Sequence, residues 1–251
     1  MNGRKIDGSV ALVTGANRGI GRAIAEALLE SGAKKVYATA RDPKSLQPLS
    51  ERYGKRVVPL QLDVTKADQV ASVAREASDV ELLFNNAGVA EATQLTGEST
   101  VEQARREMEV NYFAPLTLLQ SFAPGLTGKG GAVVNVSSIA GLTSFPFYPT
   151  YSASKAAIHS LTQGSRILLA SQGVAVYGVY PGPVDTDMAK DIAMDKTTPQ
   201  DAARAILDGV EAGAEDIFPD PFSVSFGEQF RASPKTSEEQ IAAMVAEASA
   251  A

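Results

Sequence analysis

The chain has 251 residues, enough for one domain or two small ones, and its 44% apolar and 21% charged residues are ordinary for a soluble globular protein. Its net charge of −6 argues against a general binder of nucleic acid or of membrane surfaces, and the absence of cysteine excludes disulfides and thiol chemistry. The first residues lack the apolar core of a signal peptide and no run approaches ~18 apolar residues, so we expect a cytoplasmic protein with no membrane span.

Apolar runs and helical patterns alternate along the chain. Short apolar runs predict buried strands at residues 10–13, 35–39, 57–62, 82–84, 132–136 and 174–179, with a short seventh strand at 216–218. Apolar residues at helical spacing predict helices at residues 20–31, 69–77, 101–122, 151–170, 199–212 and 238–248. Pro59 places the third strand at or near an edge of the sheet, and the third helix is expected to be interrupted near Pro115.

The alternation predicts an α/β fold, in which a doubly wound, Rossmann-type parallel sheet lies between two layers of helices in a single domain. We expect residues 1–130 to form mainly the cofactor half and residues 131–251 mainly the catalytic and substrate half. Three prolines predict an extended segment before the last helix: Pro219, Pro221 and Pro234. Ligands of such sheets bind beyond the carboxyl ends of the strands, and four conspicuous residues follow predicted strands: Gly15, Asn86, Ser138 and Pro181.

A glycine-rich turn separates the first predicted strand from the first predicted helix. Gly15, Gly19 and Gly21 stand there with the spacing TGxxxGxG. A phosphate needs backbone N–H donors at the start of a helix with no Cβ in the way, and three glycines meet that need. The alternative is a tight turn with a positive φ, for which one glycine would suffice. The turn therefore favours a dinucleotide site.

The residues after the second predicted strand indicate which dinucleotide binds. A carboxylate at this position would hold the ribose 2′-hydroxyl of NAD and repel a 2′-phosphate, but the chain has Ala40 followed by Arg41. Arg18 lies inside the glycine turn, and two guanidinium groups near one ribose favour a phosphate there. Asp42 argues mildly the other way, and the alternative is two solvated surface arginines. We expect NADP(H).

Tyr151 and Lys155 stand four residues apart in a run that should be helical, so both side chains share one helical face. Free tyrosine titrates near pH ~10, and a pKa of ~7 would require roughly 4 kcal/mol of preferential stabilisation of the phenolate. A positive charge close by can supply much of that energy. The alternative is a packed tyrosine beside a solvated lysine at a helix start.

Together, these residues resemble the short-chain dehydrogenase/reductase family in its branch of ~250-residue proteins, over roughly residues 8 to 190. The resemblance implies a catalytic tetrad of Asn111, Ser138, Tyr151 and Lys155; Ser138 stands thirteen residues before Tyr151, and Ser137 is the weaker candidate. We expect Arg41, Tyr151 and Lys155 to contact the cofactor. The other expected cofactor contacts are Gly15, Asn17, Arg18, Gly19, Ile20, Gly21, Asp63, Val64, Asn86, Ala87, Gly88, Pro181, Gly182, Val184 and Thr186.

The resemblance also implies a mechanism. The Ser138 and Tyr151 hydroxyls hold a carbonyl oxygen, and Tyr151 gives it a proton while the carbonyl carbon takes a hydride from NADPH. Lys155 lowers the pKa of Tyr151 and binds the nicotinamide ribose. Asn111 holds a water that relays protons from Lys155 to solvent. Donors that are already in place where charge develops on oxygen stabilise the transition state most.

One part of the chain departs from the family pattern. Many relatives end in a seventh strand and a tail of the type VDGG that helps to build a tetramer interface, and residues 216–222 read DIFPDPF here. We expect a homo-oligomer, either a tetramer or a dimer formed through the helices at 101–122 and 151–170.

Several other side chains have two readings. The aromatic stretch 145–148 either walls an apolar substrate pocket or packs its own loop, and Met188, Ile192 and Met194 form either a movable flap or ordinary helix core. His159, the single histidine, is expected to face packing or solvent and not to act in catalysis. No cluster of His, Cys or carboxylates has the spacing of metal ligands, so we expect no metal site.

The sequence favours reduction of a ketone or aldehyde with apolar substituents to an alcohol, with NADPH as the reductant and a small molecule as the substrate. Within the same family, a steroid, sugar-alcohol or carrier-protein β-ketoacyl reductase is the alternative; the last would need a basic surface, for which Lys190 and Lys196 are thin support. A protein of a different class, a redox sensor that binds NADP(H) without turnover, would not need Ser138, Tyr151 and Lys155 together. No nucleic-acid or membrane partner is expected.

Overall fold

The computed structural model describes the backbone of residues 3–250 and the side chains of residues 3–246. Within these residues the strands form one seven-stranded parallel sheet in the order β3-β2-β1-β4-β5-β6-β7. The strands are β1 (Val10–Val13), β2 (Lys35–Ala40), β3 (Val57–Gln61), β4 (Leu82–Asn85), β5 (Ala132–Val136), β6 (Ala175–Val179) and β7 (Asp216–Ile217). The order reverses between β1 and β4, which opens a crevice at their carboxyl ends.

The helices cover both faces of the sheet. They are α1 (Gly19–Glu30), α2 (Gln47–Tyr53), α3 (Ala67–Glu76), α4 (Thr100–Met108), α5 (Ala114–Leu126), α6 (Pro149–Ala170), α7 (Pro199–Ala212), α8 (Pro221–Ala232) and α9 (Pro234–Ala250). Successive residues of a strand face opposite sides, so Leu12 of β1 packs with α3 and α5 while Val13 packs with α1 and α7. The predicted doubly wound, Rossmann-type α/β fold is confirmed.

Two proline predictions had different outcomes. Pro59 lies in β3, which is an edge strand of the sheet as predicted, because an edge strand can lose one N–H donor without breaking the ladder. The extended segment predicted from three prolines is wrong. Pro221 and Pro234 are the first residues of α8 and α9, where a missing N–H costs nothing because the first turn has no acceptor for it.

Asp220 explains why α8 begins where it does. Its side chain accepts the amide N–H of Ser223 at 2.8 Å, and the Ser223 Oγ accepts the amide N–H of Asp220 at 3.2 Å, which completes a capping box. The interruption of the third helix predicted near Pro115 is confirmed. A π-helical turn at Glu109–Phe113 separates α4 from α5, and Pro115 lies in the first turn of α5. None of the helices in residues 3–250 has the length and apolar character needed to cross a membrane.

Candidate active site

A cleft of about 1350 Å³ lies at the carboxyl ends of the central strands. It runs from the glycine turn after β1, past the ends of β4 and β5, to the loop after β6 and the C-terminal helices. Of the predicted site residues, all of which the structure describes, Asn111 alone lies outside the cleft lining. The folded chain therefore brings residues from seven separate segments of the sequence to one concave surface, at the place where doubly wound sheets bind ligands.

The three glycines of the turn are each required for a local reason. Gly15 and Gly19 have φ values of 66° and 54°, in the left-handed region that side chains disfavour. A Cβ at Gly21 would overlap the carbonyl oxygen of Gly15 and the side-chain amide of Asn86. The alternative of a simple tight turn needed one glycine, whereas this turn uses two for conformation and one for close packing of α1 against β4.

Thr14, the first residue of the TGxxxGxG motif, to which the sequence reasoning gave no separate role, fixes the junction of β1 and β4. Its Oγ1 accepts the amide N–H groups of Asn86 at 2.9 Å and of Ala87 at 3.0 Å, and donates to the carbonyl oxygen of Phe84 at 3.2 Å. Asn86 in turn donates from Nδ2 to the Thr14 carbonyl oxygen at 2.9 Å. These bonds hold the end of β4 against the glycine turn. A threonine that directly precedes a glycine turn was the available signal.

At the predicted ribose end of the cleft, Arg18 already has a partner. Its Nη1 donates to Asp187 Oδ2 at 2.8 Å, and both side chains are largely exposed. Exposed pairs of this kind contribute at most about 1 kcal/mol, so a phosphate can compete for the guanidinium. Arg41 lines the cleft and is exposed. Burial alone would raise the pKa of Asp63. Two hydrogen bonds from Thr65 and nearby cations that include Arg41 outweigh the burial and lower this pKa.

Ser137 and Ser138 follow β5, and their hydroxyls have different partners. The buried Ser137 hydroxyl donates to the carbonyl oxygen of Lys155 at 3.0 Å and so fastens α6 to the sheet. The Ser138 hydroxyl lies close enough to Tyr151 to lower the pKa of its hydroxyl. Its Oγ donates to the carbonyl oxygen of Pro181 at 3.4 Å and accepts the amide N–H of Ala140 at 3.1 Å. The contact with Tyr151 favours Ser138 as the serine that acts with the tyrosine.

Lys155 is 4% exposed, and its Nζ donates to the carbonyl oxygen of Val136 at 2.9 Å. Its ammonium nitrogen lies 5.6 Å from the centre of the Tyr151 ring, on the same face of α6. Burial lowers the pKa of Lys155 to about 8, because the charged form loses water and gains no carboxylate partner in return.

The direction of the Tyr151 pKa differs from the sequence prediction. We expected the neighbouring ammonium to bring this pKa down towards ~7, and the structure gives a pKa raised to about 12. Burial is the largest cause, the nearby Ser138 hydroxyl opposes it, and the negative charge of Glu107 adds to it. Tyr151 keeps some exposed surface, but that surface lines the cleft, so desolvation dominates.

Asn111 lies behind the cleft, in the π-helical turn between α4 and α5, and is 1% exposed. Its side chain accepts the amide N–H of Val89 at 2.9 Å and donates both to the Val89 carbonyl oxygen and to the Ser154 hydroxyl. Asn111 therefore ties the segment after β4 to the helix that carries Tyr151.

Apolar side chains wall the opposite end of the cleft. Phe147 is 56% exposed and lines the cleft, while Phe145 both lines it and packs on Phe226 with ring centres 6.0 Å apart. The aromatic stretch therefore both lines the cleft and packs against α8. The segment that follows β6 contributes Met188 and Met194 from a short turn and loops, which removes the alternative of ordinary helix core.

The sequence reasoning missed the contribution of the C-terminal helices to this wall. Phe222 comes from α8, and α9 presents Ile241, Met244 and Val245 to the cleft. The spacing of the α9 residues is that of one apolar helical face, and this signal was available in the predicted helix 238–248.

His159 does not line the cleft; its Nδ1 hydrogen-bonds the Tyr180 hydroxyl at 2.7 Å. In the part of the chain that is described, no three His, Asp or Glu side chains form a group that could hold a metal.

Comparison with known proteins agrees with this geometry. A family model described as short chain dehydrogenase matches residues 9–197. An uncharacterised oxidoreductase of Staphylococcus saprophyticus is 34% identical over 215 residues, which cover 81% of this chain and 91% of that protein. The 3-oxoacyl-(acyl-carrier-protein) reductase of Vibrio cholerae is 34% identical over 235 residues, which cover 92% of each chain.

Solved structures give the same result. A short chain dehydrogenase from Burkholderia cenocepacia, solved in complex with NADP, matches with a TM-score of 0.87 and 39% identity over 95% of this chain and 99% of that one. A short-chain dehydrogenase from Streptomyces avermitilis matches with a TM-score of 0.83 and 29% identity over 96% and 98% of the two chains. The chain therefore belongs to the short chain dehydrogenase family of oxidoreductases.

Proposed function

We propose that this protein reduces a ketone or aldehyde to an alcohol with NADPH, by reversible hydride transfer. The observation that carries the proposal is that the Ser138 and Tyr151 hydroxyls lie close together, beside the buried Lys155, in the same cleft as the glycine turn. Two adjacent hydroxyl donors are what a carbonyl oxygen needs as it gains negative charge.

The cleft fits a dinucleotide at its other end. A Cβ at Gly21 would overlap its neighbours, Gly15 and Gly19 have φ values that favour glycine, and the first residues of α1 line the cleft. The backbone N–H groups at the start of α1 would hold the phosphates. The remaining cofactor contacts predicted from the sequence would hold the adenosine and the nicotinamide ribose, with Lys155 on the ribose hydroxyls.

The preference for NADP(H) rests on charge. Arg18 and Arg41 both line the cleft, and Arg41 directly follows β2, where Ala40 stands in place of a carboxylate. Guanidinium groups bind phosphate oxygens through paired N–H bonds, so they favour a 2′-phosphate. The related Burkholderia protein was solved in complex with NADP, which supports the same assignment.

The chain's own residues then do the following work. Bound NADPH supplies the hydride. Ser138 and Tyr151 hold the carbonyl oxygen, and Tyr151 transfers its hydroxyl proton to that oxygen as it becomes an alkoxide. A raised pKa keeps this proton on Tyr151 at neutral pH, which is the state that reduction requires. In this proposal Asn111 supports the arrangement from behind, and a water held there relays protons from Lys155 to solvent.

The substrate in this proposal carries apolar substituents, because the wall beside Tyr151 consists of aromatic and aliphatic side chains from residues 145–148 and 188–194 and from α8 and α9. Residues 131–251 thus supply most of the substrate surface and residues 1–130 most of the cofactor surface. A carrier-bound β-ketoacyl group is the alternative substrate, which the related Vibrio reductase supports by name.

A panel assay tests the proposal. Purified protein is mixed with NADPH and a panel of aromatic ketones, aliphatic aldehydes, steroid ketones, sugars and a β-ketoacyl thioester, and the loss of NADPH absorbance is followed. We expect the highest kcat/KM with an aromatic or aliphatic carbonyl compound. NADPH binding without turnover of any member would instead support a redox sensor, and highest activity on the thioester would support the carrier-bound alternative.

A further inference from the structure

Glu107 of α4 is a fully buried carboxylate that the mechanism above does not use. It is 0% exposed, and its Oε1 accepts the amide N–H of Glu91 at 3.1 Å. Acidic side chains are rarely buried completely unless they are paired with another group, so this position needs a physical reason.

Asn111 lies one turn further along the same helical face and bonds to the same segment. It accepts the N–H of Val89 and donates to its carbonyl oxygen, while Glu107 accepts the N–H of Glu91. The two helical side chains thus satisfy three backbone groups of an extended segment that has left the sheet. Buried backbone groups without such partners would destabilise this path of the chain.

The segment that they hold forms part of the cleft. Val89, Ala90 and Glu91 line it, and two residues further on the amide N–H of Thr93 donates to the carbonyl oxygen of Phe147 at 3.2 Å. The bond from Glu107 to the Glu91 amide therefore fixes one wall of the cleft directly and supports the aromatic wall through one further contact.

The second oxygen of Glu107 faces the helix that carries the tyrosine. Oε2 is buried without a hydrogen-bond partner among the described residues; the Thr150 hydroxyl is close enough to favour the charged form but lies outside hydrogen-bond geometry. Thr150 directly precedes Tyr151. The other charged groups near Glu107 are Arg106 and the carboxylate of Glu91, which pair with each other at 3.1 Å.

An apolar side chain would fill this position without leaving a buried oxygen unpaired, and unpaired buried polar groups are unfavourable. Such local conflicts are expected where a residue serves the site and not the stability of the fold. We propose that Glu107 is a positioning residue, whose carboxylate holds the 89–91 segment to α4 and acts on Tyr151 through the first turn of α6. Only the effect of Glu107 on turnover rests on the proposed function; its effects on the 89–91 segment and on the Tyr151 pKa do not.

Hydrogen exchange tests the positioning role without any substrate. The amides of residues 89–91 are compared in wild type, Glu107→Leu, Glu107→Gln and the control Glu102→Gln, which changes an exposed carboxylate of the same helix. We expect Glu107→Leu to speed exchange of the Glu91 amide by at least about tenfold, the loss of one protecting bond. Glu107→Gln should retain protection, because its amide oxygen can still accept the bond. Wild-type exchange in Glu107→Leu would overturn the proposal.

A titration tests the action on Tyr151 and also covers the case in which Glu107→Leu does not fold. The phenolate absorbance of Tyr151 is isolated as the difference between each protein and its Tyr151→Phe partner, in wild-type and Glu107→Gln backgrounds. At the alkaline pH of this titration Glu107 is ionised, so removing its charge should shift the Tyr151 transition to lower pH. A transition at the wild-type pH would overturn the proposal.

Turnover supplies the last readout. If the proposed reduction holds, the alkaline limb of the pH profile of kcat should also shift to lower pH in Glu107→Gln, while the Kd for NADPH stays at the wild-type value. An unchanged limb would count against Glu107 as a positioning residue. If wild type reduces no carbonyl compound, the proposed function fails, and hydrogen exchange and the titration still decide the role of Glu107.

Discussion

Lys155 donates a hydrogen bond to the carbonyl oxygen of Val136 at 2.9 Å, so its ammonium group is held at the carboxyl end of β5. No contact with a carboxylate compensates its burial among the described residues, and its pKa falls to about 8. The same burial raises the pKa of the Tyr151 hydroxyl to about 12. Burial therefore shifts both pKa values towards the neutral forms, and at pH 7 Lys155 still carries its proton while Tyr151 keeps its own.

This burial predicts a pH-dependent stability. The unfolded chain keeps the Lys155 proton up to pH 10.5 and the folded protein releases it at about 8, so the unfolded state binds more protons between these values. The free energy of unfolding should therefore rise with pH through this window, by on the order of 3 kcal/mol from this group. Tyr151 opposes the rise only above its ordinary pKa of 10.0, because the folded state then retains a proton that the unfolded state loses.

The measurement is denaturant unfolding of wild type and Lys155→Met at about pH 7 and about pH 10, without cofactor. Lys155→Met lacks the titrating group. The amount by which its free energy of unfolding exceeds that of wild type should therefore be smaller at about pH 10 than at about pH 7, by most of the ~3 kcal/mol expected from Lys155. An advantage that does not change with pH would show that the ammonium is better solvated than the structure indicates.

Replacing Tyr151 by Phe should lower kcat by roughly 10²- to 10⁴-fold, because the substitution removes the proton donor and one of the two hydroxyls on the carbonyl oxygen. The Kd for NADPH should stay within about threefold of wild type, since less than 1 kcal/mol is expected from one hydroxyl at the rim of that site. Tyr53→Phe, which removes a hydroxyl that bonds Glu30 away from the cleft, is the control. Full activity of Tyr151→Phe would refute the assigned proton donor.

Arg41→Asp should move the cofactor preference towards NADH. A carboxylate there would repel the 2′-phosphate and accept a ribose hydroxyl, and the loss of a charged hydrogen bond corresponds to roughly 10- to 100-fold in the ratio of kcat/KM values. Arg75→Asp makes the same charge change on the exposed face of α3. An equal shift in both variants would assign the effect to net charge and remove Arg41 from the site.

Gly21→Ala and Gly164→Ala should have opposite effects on stability. A methyl group at position 21 overlaps the Gly15 carbonyl oxygen and the Asn86 amide, so we expect a loss of about 1–3 kcal/mol and of NADPH binding. Gly164 lies exposed within α6 with open space around it, and alanine there should add up to about 1 kcal/mol. Thermal unfolding of both variants checks the pair, and equal stability of Gly21→Ala and wild type would contradict the packing at the glycine turn.

The strands and the residues at their ends could be predicted from the sequence because the signals are local. A buried parallel strand is a short apolar run, and the residues that follow it must reach the carboxyl edge of the sheet. The glycine turn, Ser138 and Pro181 were located in this way. The choice of Ser138 over Ser137 agrees with the observed contacts, because the Ser137 hydroxyl is used on the Lys155 carbonyl oxygen.

The features that the sequence did not reveal depend on tertiary packing. Proline has a similar local preference at the first position of a helix and in an extended segment, so Pro221 and Pro234 were wrongly predicted to be extended. The cap at Asp220, which depends on the folded backbone, shows that Pro221 begins α8. The direction of the Tyr151 pKa depends on burial, which the spacing of two residues does not report. The local sequence around Glu107 does not indicate that its carboxylate is buried, because the residues that cover it come from other segments of the chain.

The most direct test of the account is the fate of a hydride and a proton in one turnover. Wild type and Tyr151→Phe are incubated with NADPH that carries deuterium on the transferable position and with the best ketone from the panel, and the products are analysed by mass spectrometry. We expect wild type to yield an alcohol with one deuterium on the carbinol carbon, at least about 10²-fold faster than Tyr151→Phe. An alcohol without deuterium, or equal rates in the two proteins, would contradict it.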